Sequence, residues 1–331
     1  MNYELNNAPV AIFVYNRLDN TRQTIQHLLI NASARDTDVY VFSDGGKDER
    51  SWKQVNAVRS YLHEVEATTR DNHQFRSFTI IERPENIYLE RNITEGIAEV
   101  FKHHDTIIVL EDDICVSEFY LDYMNEAFRL YRDEPQVMHV AGFSNLDLLT
   151  THPRLVYASP DNDQPDETYF TPHMSGWGWG TWRDRWQNHF VHYASESEAL
   201  DGLTDADRDN LQYGGDFPCL KSLKKNPIPW DICWEIAIYR AGGLCLTPVH
   251  TMVRNIGLQN GTHFRAFSLL QHYAFDREPL DRQLKMLKRK PEKVDEIEEI
   301  FKEEIRDWGI RYTPLGKIAR SVKHMIDGGK K

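Results

Sequence analysis

The sequence predicts an α/β fold, a mostly parallel central sheet flanked by helices. Two observations predict it. Short apolar runs recur four times within the first 130 residues, and each is followed by a segment with apolar positions at helical spacing or by a charged turn. Such alternation needs crossover helices on both faces of the sheet, which in turn makes the strands apolar on both sides.

Residues 10–15 are the first run and stop at Asn16-Arg17; residues 21–29 then show helical spacing, with Asp19 or Asn20 available as a cap. Residues 39–42 repeat the strand pattern and end in Ser43-Asp44-Gly45-Gly46, ahead of a second helix over 52–65. Residues 78–82 form a third strand, followed by Pro84-Glu85-Asn86 and a helix over 91–101. Residues 106–110 are continuously apolar and run into Glu111-Asp112-Asp113. From about residue 140 the alternation breaks. Residues 150–168 are rich in proline and aspartate, residues 174–186 read MSGWGWGTWRDRW, and residues 229–244 read PWDICWEIAIYRAGGL. Residues 280–308 are charged with helical periodicity. In the tail, Ile318, Val322, Met325 and Ile326 share one helical face, with Lys317, Arg320 and Lys323 elsewhere. That pattern suits either a helix docked on its own core or one lying on a membrane surface.

The 331 residues hold 39 Lys plus Arg against 51 Asp plus Glu, a net charge of −12 that argues against a general nucleic-acid binder. With 40% hydrophobic and 27% charged residues, the chain has the apolar surface a folded core requires. Cys115, Cys219, Cys233 and Cys245 include no C-x-x-C pair, which suits reduced thiols better than a zinc site. No basic-then-apolar leader pattern is present, and no apolar run approaches the about 18 residues of a membrane span, so a cytoplasmic location is expected.

Open parallel sheets bind ligands at the carboxyl ends of their strands, where Arg17, Asp44 and the 111–113 triplet all fall. Three adjacent carboxylates repel one another unless a cation joins them, and hard divalent ions such as Mg2+ or Mn2+ take carboxylate and phosphate oxygens. A solvated acidic turn is the alternative. No phosphate-loop motif and no G-x-G-x-x-G follows the first strand, so a nucleotide would be held through its metal. Asp44 suits a base or ribose contact or a plain turn. Trp182 and Trp186, four apart, read as core; Trp177 and Trp179, set among Gly176, Gly178 and Gly180, stand open between core packing and a sugar platform. Asp231 and Glu235 share a helical face, and Asp231 suits either a general base or a helix cap. His263, in the Gly261-Thr262-His263 loop, is structural or a metal ligand.

Taken in order along the chain, AIFVYNR, VFSDGG, ENIYLERNITEGI, IIVLEDDI, SGWGWGTW and PWDICWEIAIYRAGGL with NIG and GTH resemble the GT-A fold glycosyltransferases that use nucleotide sugars. The resemblance covers about residues 8–265. It looks most like bacterial sugar transferases of surface-polysaccharide clusters and, more distantly, the Golgi N-acetylglucosaminyltransferase that begins complex N-glycans. It implies a Rossmann-like GT-A sheet with a nucleotide-sugar-binding half over 1–145, an acceptor-binding half over 146–270 and a C-terminal helical extension over 271–331. By the same resemblance Asp113 ligates Mn2+ or Mg2+, with His263 as a further metal or phosphate contact, and Glu111 and Asp112 hold the ribose and donor sugar. Asp44 contacts uracil, Tyr15 and Arg17 line the nucleotide pocket, and Arg91 reaches the diphosphate. Trp177, Gly178 and Trp179 meet donor or acceptor sugar. Asp231 is the base for an inverting transfer and Glu235 the second candidate, since the Golgi motif has paired aspartates where this chain has Asp231-Ile232. The expected activity is transfer from a UDP-sugar to a saccharide or lipid-linked saccharide acceptor in lipopolysaccharide, O-antigen or capsule synthesis, at the inner face of the cytoplasmic membrane. A sugar nucleotidyltransferase and a non-catalytic carbohydrate-binding protein are the alternatives.

Overall fold

The computed structural model describes residues 7–144, 167–212, 219–259, 278–293 and 299. The first part of the chain alternates β1 (Val10–Val14), α1 (Leu18–Leu29), β2 (Asp38–Ser43), α2 (Glu49–Asp71), β3 (Ser77–Glu82), α3 (Tyr88–Val100) and β4 (Thr106–Glu111). The four strands are parallel in the order β3-β2-β1-β4. Next come β5 (Ile114–Val116), α4 (Tyr120–Leu130), β6 (Val137–Ala141), β7 (Thr168–Thr171), β8 (Trp179–Trp182) and α5 (Arg183–His189). The short helices α6 (Glu196–Leu200) and α7 (Asp205–Leu211) then lead to α8 (Trp230–Arg240), β9 (Leu244–Pro248) and β10 (Val253–Asn255).

The apolar runs are continuous because the central strands are covered twice. All five residues of β1 are buried. Val10, Ile12 and Val14 pack with Ile25 and Leu28 of α1 and with Val58 and Leu62 of α2, while Ala11 and Phe13 face Ile93 and Ile97 of α3. This is the period-two division of a strand between two layers. The helix starts differ from the sequence reading where a cap or a tight turn intervenes. Asp48 accepts from the Ser51 amide at 2.7 Å, so α2 begins at Glu49. α3 begins at Tyr88, three residues earlier than apolar spacing suggests.

Past β4 the sheet becomes mixed, in the order β3-β2-β1-β4-β8-β6-β9-β7, with β8 antiparallel to both neighbours and β7 antiparallel to β9. The sequence W-G-T-W therefore supplies a central strand. A β-carbon at Gly180 would lie 2.5 Å from the Ile107 carbonyl and 2.6 Å from the Phe128 ring, so neighbouring groups fill the space a side chain would need. Trp182 meets Phe128 edge-on at 5.1 Å and Trp186 stacks on Phe190 at 4.0 Å, both in the core as their spacing suggested. A separate two-stranded sheet pairs β5 with β10.

The described stretch 278–293 carries no helix, contrary to its charge periodicity. It is instead tied along the β7 edge of the sheet: the Leu280 amide donates to the Thr251 carbonyl at 2.8 Å, and the Lys285 amide to Glu167 at 2.9 Å. Arg282 also pairs with Glu167, and Pro279 and Pro291 bracket the segment. Backbone partners outside the segment replace the helical ones. The tail pattern over 315–326 lies outside the described residues. No described helix is long and apolar enough to cross a membrane.

Candidate active site

Parallel β1, β2 and β4 end side by side, with Phe13 opposite Glu111 and Val14 opposite Ser43. The residues following these ends therefore converge on one crevice. Arg17, at the start of α1, forks across the acidic turn: Nη2 pairs with Asp112 Oδ1, and Nη1 stands 2.8 Å from Asp113 Oδ2. The fork is anchored from behind, because the Thr21 amide and hydroxyl both donate to the Arg17 carbonyl at 2.9 Å. Thr24 donates to the Asp112 carbonyl at 3.0 Å, and the nearby Tyr15 backbone amide favours the charged form of the Asp112 carboxylate. Tyr15, Arg17, Asp112 and Asp113 are thus one connected group.

The opposite wall comes from the Asn-Ile-Gly segment. Asn255 pairs with Ile114 across the small sheet, the Ile256 amide donates to the Asp113 carbonyl at 2.9 Å, and the Gly257 amide donates to Asn255 Oδ1 at 2.8 Å. Gly257 then lies against the Asp113 carboxylate, where a β-carbon would stand 2.0 Å from Oδ2. In the sequence this glycine stands in the NIG motif, with nothing local to mark its contact with Asp113.

Electrostatically the turn carries more negative charge than its cation balances. Burial would depress the Arg17 guanidinium, but the Asp112 and Asp113 charges outweigh it and hold the group above its ordinary value. Burial pushes Asp112 up to about 6 against the pull of Arg17. Burial, followed by the charges of Asp113, Asp112 and Asp231, holds Glu111 well above the usual carboxylate range. Asp231, in the first turn of α8, is therefore close enough to act on Glu111. Burial raises its carboxyl too, and Oδ1 accepts from the Ile232 amide at 2.9 Å. It is not the cap of α8, a position held by Pro229. The cap is supplied across the fold instead: Glu90 of α3 accepts from the Trp230 amide at 2.7 Å, and burial pushes Glu90 up to about 7. Glu90 escaped the sequence reading because the helix was started one residue after it.

Asp44 occupies the adjoining strand end and is buried. Its Oδ1 accepts from the Gly45 and Ile87 amides at 2.9 Å and its Oδ2 from Asn86 at 2.8 Å, joining the turns after β2 and β3. Beyond it, the Lys47 ammonium lies 4.6 Å from the Tyr88 ring and 5.9 Å from the Tyr15 ring. Lys47 stands outside the quoted motifs, and Tyr88 lies in ENIYLERNITEGI without a role assigned to it there.

Four expectations need correction. Trp179 is wholly buried, stacked between His139 and Trp230 at 5.1 Å each, so it is core and not a sugar platform. Gly178 has φ +59°, and Val253 would stand 2.7 Å from its β-carbon, so its missing side chain serves a turn and packing. Arg91 points away from the crevice: its side chain is 62% exposed and pairs with Glu95 at 2.6 Å. Asn92, Ile93, Gly96 and Ile97 are the inward face of α3, which leaves 91 and 95 outside. Glu235 is committed on both oxygens, to His173 Nδ1 at 2.7 Å and the Met174 amide at 2.9 Å.

That commitment gives Glu235 a different task, bracing the strand-to-strand loop that carries Trp177. His139 helps: burial drives it down to about 3, and its Nδ1 accepts from Trp234 at 3.3 Å, so Nε2–H is left to donate to the Ser175 carbonyl at 3.1 Å. Trp177 itself is half-buried and meets Phe143 edge-on at 4.6 Å. His263 lies outside the described residues.

Among the described residues, no three His, Cys, Asp or Glu side chains are arranged to hold a metal by themselves. A hard divalent ion does not require that, since it commonly takes one or two carboxylates and completes its shell with phosphate oxygens and water. The donor set fits such an ion: the hard oxygens of Asp112 and Asp113, two carboxylates against the one guanidinium that bridges them among the described residues.

No protein-family model matches the chain, and no curated protein matches it significantly. Among solved structures the chain is similar to mannosyltransferase PcManGT from Pyrobaculum calidifontis in complex with GDP-Man and Mn2+. That match has 12% identity over 73% of this chain and 77% of that one, with a TM-score of 0.39. It is also similar to S. aureus TarS 1-349, at 9% identity and a TM-score of 0.40, over 74% of this chain and 59% of that one, less than two thirds of its length. Both TM-scores are below 0.5, and the functional case rests on the geometry of the crevice.

Proposed function

We propose that the chain is a metal-dependent glycosyltransferase that moves a sugar from a nucleotide donor, a UDP-sugar, to a saccharide or lipid-linked saccharide acceptor with inversion. Surface-polysaccharide synthesis at the cytoplasmic membrane is the setting proposed for it. The observation that carries the reading is the acidic turn after β4, forked by Arg17 and walled by Gly257, with the start of α8 close enough for Asp231 to act on Glu111 electrostatically.

In this reading residues 1–145 form the donor side and 146–270 the acceptor side. Asp113 would hold Mn2+ or Mg2+, which when bound supplies positive charge to a leaving diphosphate. Tyr15 and Asp44 flank the nucleotide, and Glu111 and Asp112 accept hydrogen bonds from its hydroxyls. Arg17 offers its fork to phosphate oxygens, a geometry suited to bidentate contact. Trp177 lies where the braced loop presents an aromatic face, a surface that packs against sugar rings at low entropic cost. Asp231 takes the proton of the acceptor hydroxyl, and its raised carboxyl makes it the stronger base.

Product analysis tests the class of reaction. Incubation with UDP-sugars, Mn2+ and a glycan acceptor panel is expected to release nucleoside diphosphate and lengthen the acceptor. Release of pyrophosphate instead would point to nucleotidyl transfer. Glycan binding that is unchanged by EDTA and needs no nucleotide would point to a binding protein.

A further inference from the structure

The geometry points to Arg17 as a resident counter-ion that makes the acidic turn accept a divalent cation and a nucleoside diphosphate together, and neither tightly alone. The inference rests on the donor-site reading above and concerns how that site fills.

Arg17 already occupies the oxygens a cation needs. One nitrogen of the fork is on Asp112 Oδ1, the other is 2.8 Å from Asp113 Oδ2, and the Gly257 backbone closes the far side, with a β-carbon there only 3.0 Å from Nη1. A free divalent ion approaching Asp113 must displace the guanidinium or sit against its charge. At the few ångströms involved, repulsion between like charges in a partly buried site is worth kilocalories per mole, so binding of the ion alone is weak.

A nucleotide alone meets the opposite difficulty. Its diphosphate approaches Asp112 and Asp113, two carboxylates balanced by a single guanidinium, and net repulsion opposes it. When ion and diphosphate arrive together both obstacles fall: the ion neutralises Asp113, and the phosphate oxygens give the displaced fork a new bidentate partner. The Arg17 side chain is one-third exposed and Thr21 holds the residue by its backbone carbonyl, so the head group has room to leave its two carboxylates for other partners. The consequence is positive coupling between the two ligands, reciprocal by linkage. Arg17 is a positioning residue for the loaded state and a competitor in the empty one.

The test measures binding, with no turnover required. Mn2+ affinity is read from the free-ion electron paramagnetic resonance signal, with and without saturating UDP, for the wild-type chain, Arg17→Gln and Arg17→Lys. In the wild type, UDP is expected to tighten Mn2+ binding tenfold or more. In Arg17→Gln, Mn2+ alone is expected to bind about tenfold more tightly than in the wild type, and the gain from UDP to shrink to a few-fold. Lysine reaches one carboxylate and not two, so Arg17→Lys is expected to bind Mn2+ alone more tightly than the wild type, which keeps the test alive should the glutamine variant not fold. Arginine and folded variants with the same Mn2+ affinity and the same UDP gain overturn the role of Arg17 while leaving the donor site standing. A wild-type chain that binds neither Mn2+ nor UDP in any combination overturns the donor-site reading and this inference together.

Discussion

Gly257 and Asp113 are in such close contact that a β-carbon at residue 257 would stand 2.0 Å from the carboxylate oxygen Oδ2. That distance lies inside any tolerable approach, and the atom that must give way is the end of a side chain. Gly257→Ala is therefore expected to fold with a melting temperature within about 2 °C of the wild type, because one side-chain rotation relieves the clash. It is expected to weaken metal-dependent UDP binding by tenfold or more, since the rotation takes Asp113 out of the crevice. Calorimetric titration with UDP and Mn2+ checks this, and wild-type affinity in a folded variant contradicts it.

Asp231 is set apart from Glu235, one turn later on the same helix, by what each touches. Glu235 is closed off by His173 and Met174, whereas among the described residues Asp231 accepts from the amide of the next residue alone. Removing a general base typically costs 10²–10⁴ in rate. Asp231→Asn is expected to lower transfer by about that factor with donor affinity little changed. Glu235→Gln is expected to lose stability and to raise the acceptor KM through the loop it braces. Steady-state kinetics beside UDP binding separates the two.

The tryptophans divide in the same way. Trp179, fully buried between two rings, is expected to cost about 3–5 kcal/mol when replaced by alanine, in urea denaturation. Trp177, half-buried in the braced loop, is expected to cost about 1 kcal/mol or less beyond its edge contact with Phe143, while raising the acceptor KM. Equal stability losses would contradict this division.

Glu90 gives a pH dependence whose sign is fixed. Its carboxyl is raised from 4.5 to about 7 in the folded chain, first by burial. Between those values the folded state carries a proton that the unfolded state has released, so stability falls as pH rises through that window and stays lower above it. Glu90→Gln keeps an oxygen for the Trp230 amide and removes the charge. It is expected to melt as the wild type does at pH 4.5 and about 2 °C or more higher at pH 8, measured by scanning calorimetry. A variant less stable at pH 8 would show that ionised Glu90 stabilises α8.

How far the residues announced this arrangement depends on the range over which each signal acts. β1, β2 and β4 were legible because burial on both faces leaves continuous apolar runs, and the acidic triplet was legible because it follows one of them. β8 was not, since alternating tryptophan and glycine carries no strand periodicity until Phe128 and the Ile107 carbonyl are seen to fill the glycine positions. Arg91 was placed in the crevice by the family resemblance, and the helical turn that begins at Tyr88 carries it to the outer face. The partners of Arg17 and Glu90 lie 95 and 140 residues away, distances at which local pattern says nothing.

The central claim is that the crevice at the ends of β1, β2 and β4 binds a nucleotide sugar through a metal held by Asp113. It is tested most directly by titrating UDP-, GDP-, dTDP- and CMP-sugars into the wild type and Asp113→Asn, each with Mn2+ and with EDTA. The account predicts that a UDP-sugar binds the wild type in Mn2+, loses tenfold or more in EDTA, and loses the same in Asp113→Asn with no further loss when EDTA is added. Nucleotide-sugar binding that is equal in all four conditions, or absent from all of them, would contradict it.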